Sequence, residues 1–382
     1  MKINDDITKI INDIVWWIPF KKKRNNLRNL LTNNIDQELN KFNENNKLLE
    51  KELNKANENN KLLEEEICKI RENNLNTIKK AINFSVQLTT HHNDYKIMKN
   101  IFKENVKLVE IGISSFCNRK CWFCPNSIVD RFSKNLELDE DLFIKILEEL
   151  KEIDYSDLLC LHRYNEPLYN KDLLLKRIKQ TREYLPKAII SINTNGDYLT
   201  LDYLNELNEV GVNMMYITYY YNGNDKNIEF DLENIIKPGM FKFINKLGIE
   251  YSKYIENDNG YYIYIKYKSI DIEYRALNME KIANDRGGII QGVNIKERTS
   301  QCFLPNIQVS IDYDGTYSMC CNIRSDVEEH KDYIIGNIRD NTIFELFMND
   351  KIMNIRKKLL VYGKKENVCA NCTDYRPWYG LF

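Results

Sequence analysis

The sequence predicts an α/β protein in which a parallel sheet, joined by right-handed crossovers, curls into a full or partial barrel. A coiled coil precedes the barrel and a small β-hairpin/helix unit follows it. Three observations carry this reading. Strand-like and helix-like segments alternate from about residue 100. Before them, "LNKFNENNKLLEKE" (39–52) recurs nearly letter for letter as "LNKANENNKLLEEE" (53–66). After about residue 300, an alternating run turns at Asp314-Gly315 and gives way to one helical pattern.

The repeat is two heptads long. With Leu39 at position a, that position reads Leu39, Asn46, Leu53, Asn60, Ile67 and Asn74, and position d reads Phe42, Leu49, Ala56, Leu63 and Ile70. Asn at alternate a positions fixes register and favours two parallel strands, so residues 35–80 are expected to form a coiled coil and the protein a homodimer. A solvated single helix or low-complexity segment is the alternative. Residues 1–34 hold Trp16, Trp17, Ile18 and Phe20 next to Lys21, Lys22, Lys23 and Arg24. Such a stretch suits the surface of an anionic membrane, or docks its rings on its own protein.

The barrel elements follow in order: a strand at 106–113, a helix at 139–153 with Asp139 near its N-cap, and a strand at 157–162. A helix at 171–185, a strand at 187–193, a helix at 201–211 closed by Gly211 and a strand at 212–220 come next. Another strand is expected at 261–274. The C-terminal part reads as a hairpin within 302–321, a helix at 341–360 and a closing "CANC" at 369–372.

A formal net charge of −1 gives no indication of nucleic acid. No stretch reaches the ~18 apolar residues of a membrane span. The first residues lack the basic start and apolar core of a signal peptide, so a cytoplasmic location is expected, with the inner membrane surface as a further candidate. In a reducing compartment, clustered cysteines indicate metal or redox chemistry. Cys117, Cys121 and Cys124 are spaced C-x3-C-x2-C on a loop directly after a strand. Three thiolates hold three irons of a [4Fe–4S] cluster and leave the fourth open, whereas a structural zinc wants four ligands. "RYNEP" and "NTNG" also follow strands, so all three stretches converge on one rim.

"CNRKCWFC" resembles the C-x3-C-x-Φ-C signature of the radical S-adenosylmethionine (radical SAM) superfamily, with Phe123 in the aromatic place. The resemblance covers roughly residues 105–376 and implies a partial (β/α)6 TIM-like barrel, with the radical SAM core at 100–298. It also implies that SAM completes the open iron and is reductively cleaved to a 5′-deoxyadenosyl radical. "RYNEP" resembles the family's GGEP-like motif in Glu166 and Pro167, with Tyr164 and Asn165 in place of the glycines. Asn165 and Glu166, then Thr194 and Asn195 of "NTNG", Thr218 on the fourth strand and Arg286 of "NDRGG" are the cofactor-binding candidates the resemblance implies.

Cys302, Gly315, Cys320, Cys369 and Cys372 resemble the C…G-x4-C…C-x2-C pattern of SPASM/twitch extensions, placing an auxiliary-cluster domain at 299–382 and bringing the expected [4Fe–4S] clusters to two. No further cysteine follows Cys372, which points to the shorter twitch form, and Cys321 is an alternative to Cys320. Four thiolates leave no open iron, so this cluster is expected to transfer electrons. The pattern resembles that of members oxidising a secondary alcohol of an aminocyclitol. A small, sugar-like substrate and an electron donor such as flavodoxin or ferredoxin are therefore implied. His162, Arg286 and the tyrosines 219–221 are candidate bases. The alternatives are a peptide-modifying radical SAM maturase and a zinc-stapled coiled-coil scaffold without catalysis.

Overall fold

The computed structural model describes residues 9–11, 85–131, 133, 135–223 and 225–374. The expected membrane-surface segment at 1–34 and coiled coil at 35–80 therefore lie, residues 9–11 apart, outside the described residues. Among the described residues no helix is long and apolar enough to cross a membrane.

A compact unit runs from Gln87 to Leu360 and takes up again at Lys364. After a first helix, α1 (Tyr95–Asn105), the chain enters β1 (Leu108–Ile111), α2 (Glu140–Glu152) and β2 (Leu158–Cys160). α3 (Lys171–Tyr184), β3 (Ile189–Thr194), α4 (Leu201–Glu209) and β4 (Met214–Thr218) continue the alternation. Val109, Ile111, Leu159, Ile190, Ile192, Met215 and Ile217 are buried in these strands, and their register places them all on one face of the sheet. Side chains start the helices. Asp139 accepts from the Asp141 amide at 3.0 Å, Asn170 from Leu173 at 3.2 Å and Thr200 from Tyr203 at 3.2 Å. α2 buries Leu142, Phe143, Ile146, Leu147 and Leu150. α4 stops where Gly211 takes a φ of +93°.

Beyond β4 the regular alternation breaks down. The run 261–274, expected as a single strand, is a hairpin of β6 (Gly260–Tyr267) and β7 (Ile270–Leu277). Lys268 turns it with a φ of +50°, and a Lys-Ser turn carries none of the Gly or Asn punctuation that marks such a reversal in sequence. An additional strand, β5 (Lys253–Asn257), pairs with β6; all five of its residues are exposed, so it shows no buried face. α5 (Lys237–Leu247) links β4 to this hairpin system.

β8 (Gln308–Ile311) and β9 (Thr316–Ser318) form the expected hairpin, with Gly315 at φ +81° in its turn. β10 (Ile334–Asn337) adds to β9. The helix expected at 341–360 is two: α6 (Ile343–Phe347), with a Thr342/Glu345 capping box, and α7 (Asp350–Leu360). The break falls at Met348–Asn349, where the Asn349 side chain accepts from the Lys351 amide at 2.8 Å.

The ten strands among the described residues make one sheet, in the order β10-β9-β8-β1-β2-β3-β4-β7-β6-β5. Its middle six, β8, β1, β2, β3, β4 and β7, are parallel neighbours. The partial barrel thus draws one of its six parallel strands from the C-terminal segment: β8 pairs with β1 from Leu108↔Gln308 to Ile111↔Ile311. Buried charges join the same two parts. Arg131, in the stretch after the first cysteines, reaches Asp312 at 3.2 Å and Asp326 at 2.9 Å, and Arg163 lies 3.7 Å from Asp312.

Candidate active site and cluster-binding cavities

A cavity of about 230 Å³ opens at the carboxyl ends of the parallel strands. Cys117, Cys121, Phe123 and Cys124 reach it from the loop after β1, Asn165 and Glu166 from the loop after β2, and Thr194 and Asn195 from the end of β3. Arg286 comes from the irregular stretch after β7. These stretches therefore meet on one rim, as their places after successive strands predict. Thr218 does not line the cavity; it is buried and its hydroxyl accepts from Arg275 Nε at 3.3 Å.

Neighbouring loops fix the cysteine loop. Arg119, between Cys117 and Cys121, donates to both carboxylate oxygens of Asp197 at 2.5 and 2.7 Å, and Asn118 donates to the same group at 2.7 Å. The Trp122 amide donates to Gly223 O at 3.0 Å. Gly223 is needed there, because a Cβ on it would sit 2.9 Å from Cys121 Sγ. Cys121 and Phe123 pack with Met279, Ala283, Trp122 and Tyr220, an apolar shield on one side of the thiols. Burial pushes the Cys117 and Cys121 thiols up to about 12, so they would need a bound metal to be thiolates at neutral pH.

Glu166 is 3 % exposed and its two oxygens are held separately. Oε1 accepts from Thr194 Oγ1 at 2.5 Å and from the Leu168 amide at 3.0 Å; Oε2 accepts from the Asn195 amide at 2.8 Å. Burial nevertheless pushes its pKa up to about 7, against the pull of those donors. The carboxylate would gain from a cation beside it. Asn165 is part of the same framework, accepting from the Arg163 amide at 2.8 Å and donating to Ser114 at 3.2 Å. The Tyr164 backbone, where the related motif carries glycine, has a φ of +56°. The Tyr thus takes up the left-handed conformation that glycine would adopt without strain.

Arg286 (φ +49°) begins a left-handed run with Gly287 (+71°) and Gly288 (+92°), and donates to Asn322 Oδ1 at 2.9 Å. The backbone makes a close approach at Gly287, where a Cβ would meet His330 Nε2 at 2.7 Å. Among the candidate bases, His162 lines the cavity with its pKa lowered to about 4 by burial beside Arg163 and Arg275, and is neutral at physiological pH. Burial pushes Tyr220 and Tyr221 up to about 12.

The sequence reading missed Glu110, Asn126, Arg163 and Asn193, all of which line this cavity. Glu110 had a signal: it is an acid inside the apolar strand "LVEI". It accepts from Ser310 Oγ at 3.0 Å, and Arg163 Nε lies 4.0 Å away.

A second cavity, about 20 Å³, is walled by Cys302, Cys320, Cys369 and Cys372 with Leu304, Met319, Ile323, Leu359 and Val368. Cys321 lines the larger cavity instead, so the adjacent pair is split between the two. Burial pushes Cys369 up to about 12 and Cys372 up to about 11, with the Arg298 guanidinium pulling the other way. Arg298 Nη1 lies 3.7 Å and Asn322 Nδ2 4.0 Å from Cys372 Sγ, the kind of donors that tune a cluster sulfur. Among the described residues no three His, Cys, Asp or Glu side chains close around the position of a single metal ion. Three thiols of the first motif line the larger cavity and four line the smaller, donor sets that suit iron–sulfur clusters.

The profile of the radical SAM superfamily matches residues 111–220, and that of the SPASM iron–sulfur cluster-binding domain matches 302–373. The chain is a radical SAM enzyme with a C-terminal SPASM domain. Its cofactors are SAM and iron–sulfur clusters. The radical SAM chain is 26% identical over 269 residues to the S-adenosyl-L-methionine-dependent 2-deoxy-scyllo-inosamine dehydrogenase of Niallia circulans, covering 70% of this chain and 92% of that protein. It is 27% identical over 114 residues, 30% of each chain, to the tungsten-containing aldehyde ferredoxin oxidoreductase cofactor-modifying protein of Pyrococcus furiosus. Among solved structures, BtrN in complex with AdoMet and 2-DOIA aligns with a TM-score of 0.47 at 24% identity, covering 66% of this chain and 87% of that one.

Proposed function

We propose that this radical SAM enzyme oxidises a secondary alcohol of an aminocyclitol or related sugar-like molecule. Cys117, Cys121 and Cys124 would hold the cluster completed by SAM, and Cys302, Cys320, Cys369 and Cys372 an auxiliary [4Fe–4S] cluster. When bound, SAM and its cluster supply a carbon-centred oxidant able to take a hydrogen atom from an unactivated C–H bond.

The observation that carries the reading is the division of the Cys320–Cys321 pair. Cys320 joins three other cysteines in a cavity with room for little else, and Cys321 does not. A cluster with four protein thiolates has no vertex left for substrate, so its use is to accept an electron. Loss of a hydrogen atom, a proton and an electron from an alcohol carbon and its hydroxyl gives a ketone, a net two-electron oxidation that matches this arrangement. The relationship to an aminocyclitol dehydrogenase, which extends over most of that protein, supports the substrate class.

The chain's own residues divide the remaining work. Glu166, held by Thr194 and the Asn195 amide, would accept from the amine of SAM, and Arg286, on the same cavity, would meet its carboxylate. Phe123 and Tyr220, with ring centroids 5.4 Å apart, keep water from one side of the first cluster. The test is anaerobic incubation of reconstituted enzyme with SAM, reductant and 2-deoxy-scyllo-inosamine. A ketone formed in step with 5′-deoxyadenosine is the expected result. SAM cleavage with this and other aminocyclitols left intact would overturn the substrate assignment.

A further inference from the structure

Tyr164 holds a bulky side chain in the left-handed region, at φ +56°, which L-residues enter only at a cost. The contacts around it account for its retention. Its hydroxyl donates to Cys321 O at 2.7 Å, and its own carbonyl accepts from Asn126 Nδ2 at 2.6 Å. The Arg324 guanidinium lies 4.8 Å from the ring centroid and donates to Asn126 Oδ1 at 2.8 Å, closing a ring of contacts. One residue earlier, Arg163 Nη2 donates to Ile323 O at 2.6 Å. Two successive residues thus grip two carbonyls of one short segment.

That segment begins where the chain passes from one cavity to the other. Cys320 faces the smaller cavity and Cys321 the larger, and a single peptide separates them. A small rotation or slip of this backbone would exchange two chemically identical thiols. Nothing in the thiols themselves selects between them, so the choice has to come from what fixes the backbone.

We propose that Tyr164 is a positioning residue that selects Cys320 over Cys321 as the auxiliary-cluster ligand by anchoring the Cys321 carbonyl. The motif that contributes Glu166 to the SAM site would thereby also set the register of the second cluster's ligands. A glycine at this position would relieve the backbone and lose the anchor.

The test compares wild type, Tyr164→Phe and Tyr164→Gly, each reconstituted and loaded to the same iron content. Brief alkylation is followed by peptide mapping of Cys320 and Cys321. In the wild type Cys321 is expected to be modified and Cys320 protected. In Tyr164→Phe, which keeps the ring and lacks only the hydroxyl, protection is expected to spread over both cysteines, and the electron paramagnetic resonance signal of the reduced auxiliary cluster to become heterogeneous. Tyr164→Gly should show the same loss of selection despite its relaxed backbone. Wild-type protection and an unchanged signal in Tyr164→Phe would overturn the proposal. So would full selection in Tyr164→Gly, because the hydroxyl would then be dispensable. If a variant fails to load iron, amide hydrogen exchange of residues 321–324 in the unloaded proteins decides: faster exchange without the hydroxyl supports the anchor, and equal exchange refutes it. The proposal rests on Cys320 being a ligand, and that assignment fails separately if Cys320 is alkylated in the loaded wild type.

Discussion

Cys117, Cys121 and Cys124 come from one short loop hung on β1, whereas Cys302, Cys320, Cys369 and Cys372 come from three stretches far apart in the chain. The first set borders a cavity of about 230 Å³ lined by charged, polar and apolar side chains, and the second a more enclosed, mainly apolar one of about 20 Å³. A ligand loop that must admit a cofactor can be local, because the surrounding rim supplies the remaining contacts. A closed site needs the folded C-terminal segment to bring its walls together. The two differ accordingly in what should break them.

The largest effects come from removing ligands. Cys117→Ala/Cys121→Ala/Cys124→Ala should lower iron from about eight to about four per chain, as loss of one of two four-iron cubanes requires, and abolish SAM cleavage. Cys320→Ala should also remove about four irons, yet leave 5′-deoxyadenosine formation while product is lost. Cys321→Ala should keep both clusters. Iron, sulfide and zinc analysis beside product assays checks all three; zinc in place of four irons would make the second site a structural staple.

The next effect tests what joins the two regions. Asp312 follows β8 and is fully buried, and the guanidinium groups of Arg131, Arg163 and Arg324 hold its carboxyl well below the usual range. Asp312→Ala takes one carboxylate from among three buried guanidinium groups and leaves them Asp326 and Glu110, so a loss at the low end of about 3–5 kcal/mol is expected in chemical unfolding. The sign with pH follows from the depressed value. The contribution is complete above the ordinary carboxylate pKa of about 3.9 and disappears as pH falls below it. The stability gap between wild type and variant should therefore narrow in acid.

Glu166 gives a third effect, confined to the first cavity. Its pKa is pushed up to about 7 by burial, so the carboxylate that would accept from the SAM amine is only fully ionised above that value. SAM affinity should fall as pH drops from 8 to 6. Glu166→Gln should bind about tenfold to a hundredfold more weakly, the worth of a charged hydrogen bond, and lose most of this pH dependence. Binding titrations to reconstituted protein at several pH values would show it. An equally steep profile in the variant would place the titrating group elsewhere.

The same contrast governs what could be read from sequence. The first site was legible because its parts are short, consecutive and each placed directly after a strand, so Cys117 to Cys124, Glu166, Thr194 and Asn195 meet without long-range knowledge. Thr218 shows the limit: it lies on the right strand but outside the cavity, and Arg275 of β7 occupies its hydroxyl. The pairing of β8 with β1 left no local signal, since Gln308 and Ser310 look like exposed strand positions until β1 covers them. The Lys268–Ser269 reversal was hidden because apolar alternation runs through both of its strands without Gly, Pro or Asn between them. The division of Cys320 from Cys321 depends on contacts from residues more than a hundred and fifty positions away, Tyr164 among them.

Gly223 should give the smallest and most local effect. It lies in the loop after β4, and its carbonyl holds the Trp122 amide at 3.0 Å. A Cβ there would stand 2.9 Å from Cys121 Sγ and 3.4 Å from Tyr220 Cβ, so Gly223→Ala forces the thiol or the loop to shift. Overpacking of this kind costs about 1–3 kcal/mol, less than removing a ligand or a buried partner. The displaced atom is one of the proposed cluster ligands, so the strain should appear in cluster loading before it appears in folding. Reconstitution of the first cluster should slow several-fold, measured as the return of SAM cleavage, while the auxiliary cluster loads at the wild-type rate. Equal slowing of both clusters would mean that the substitution disturbs the whole sheet, and the two sites would then be less independent than their construction implies.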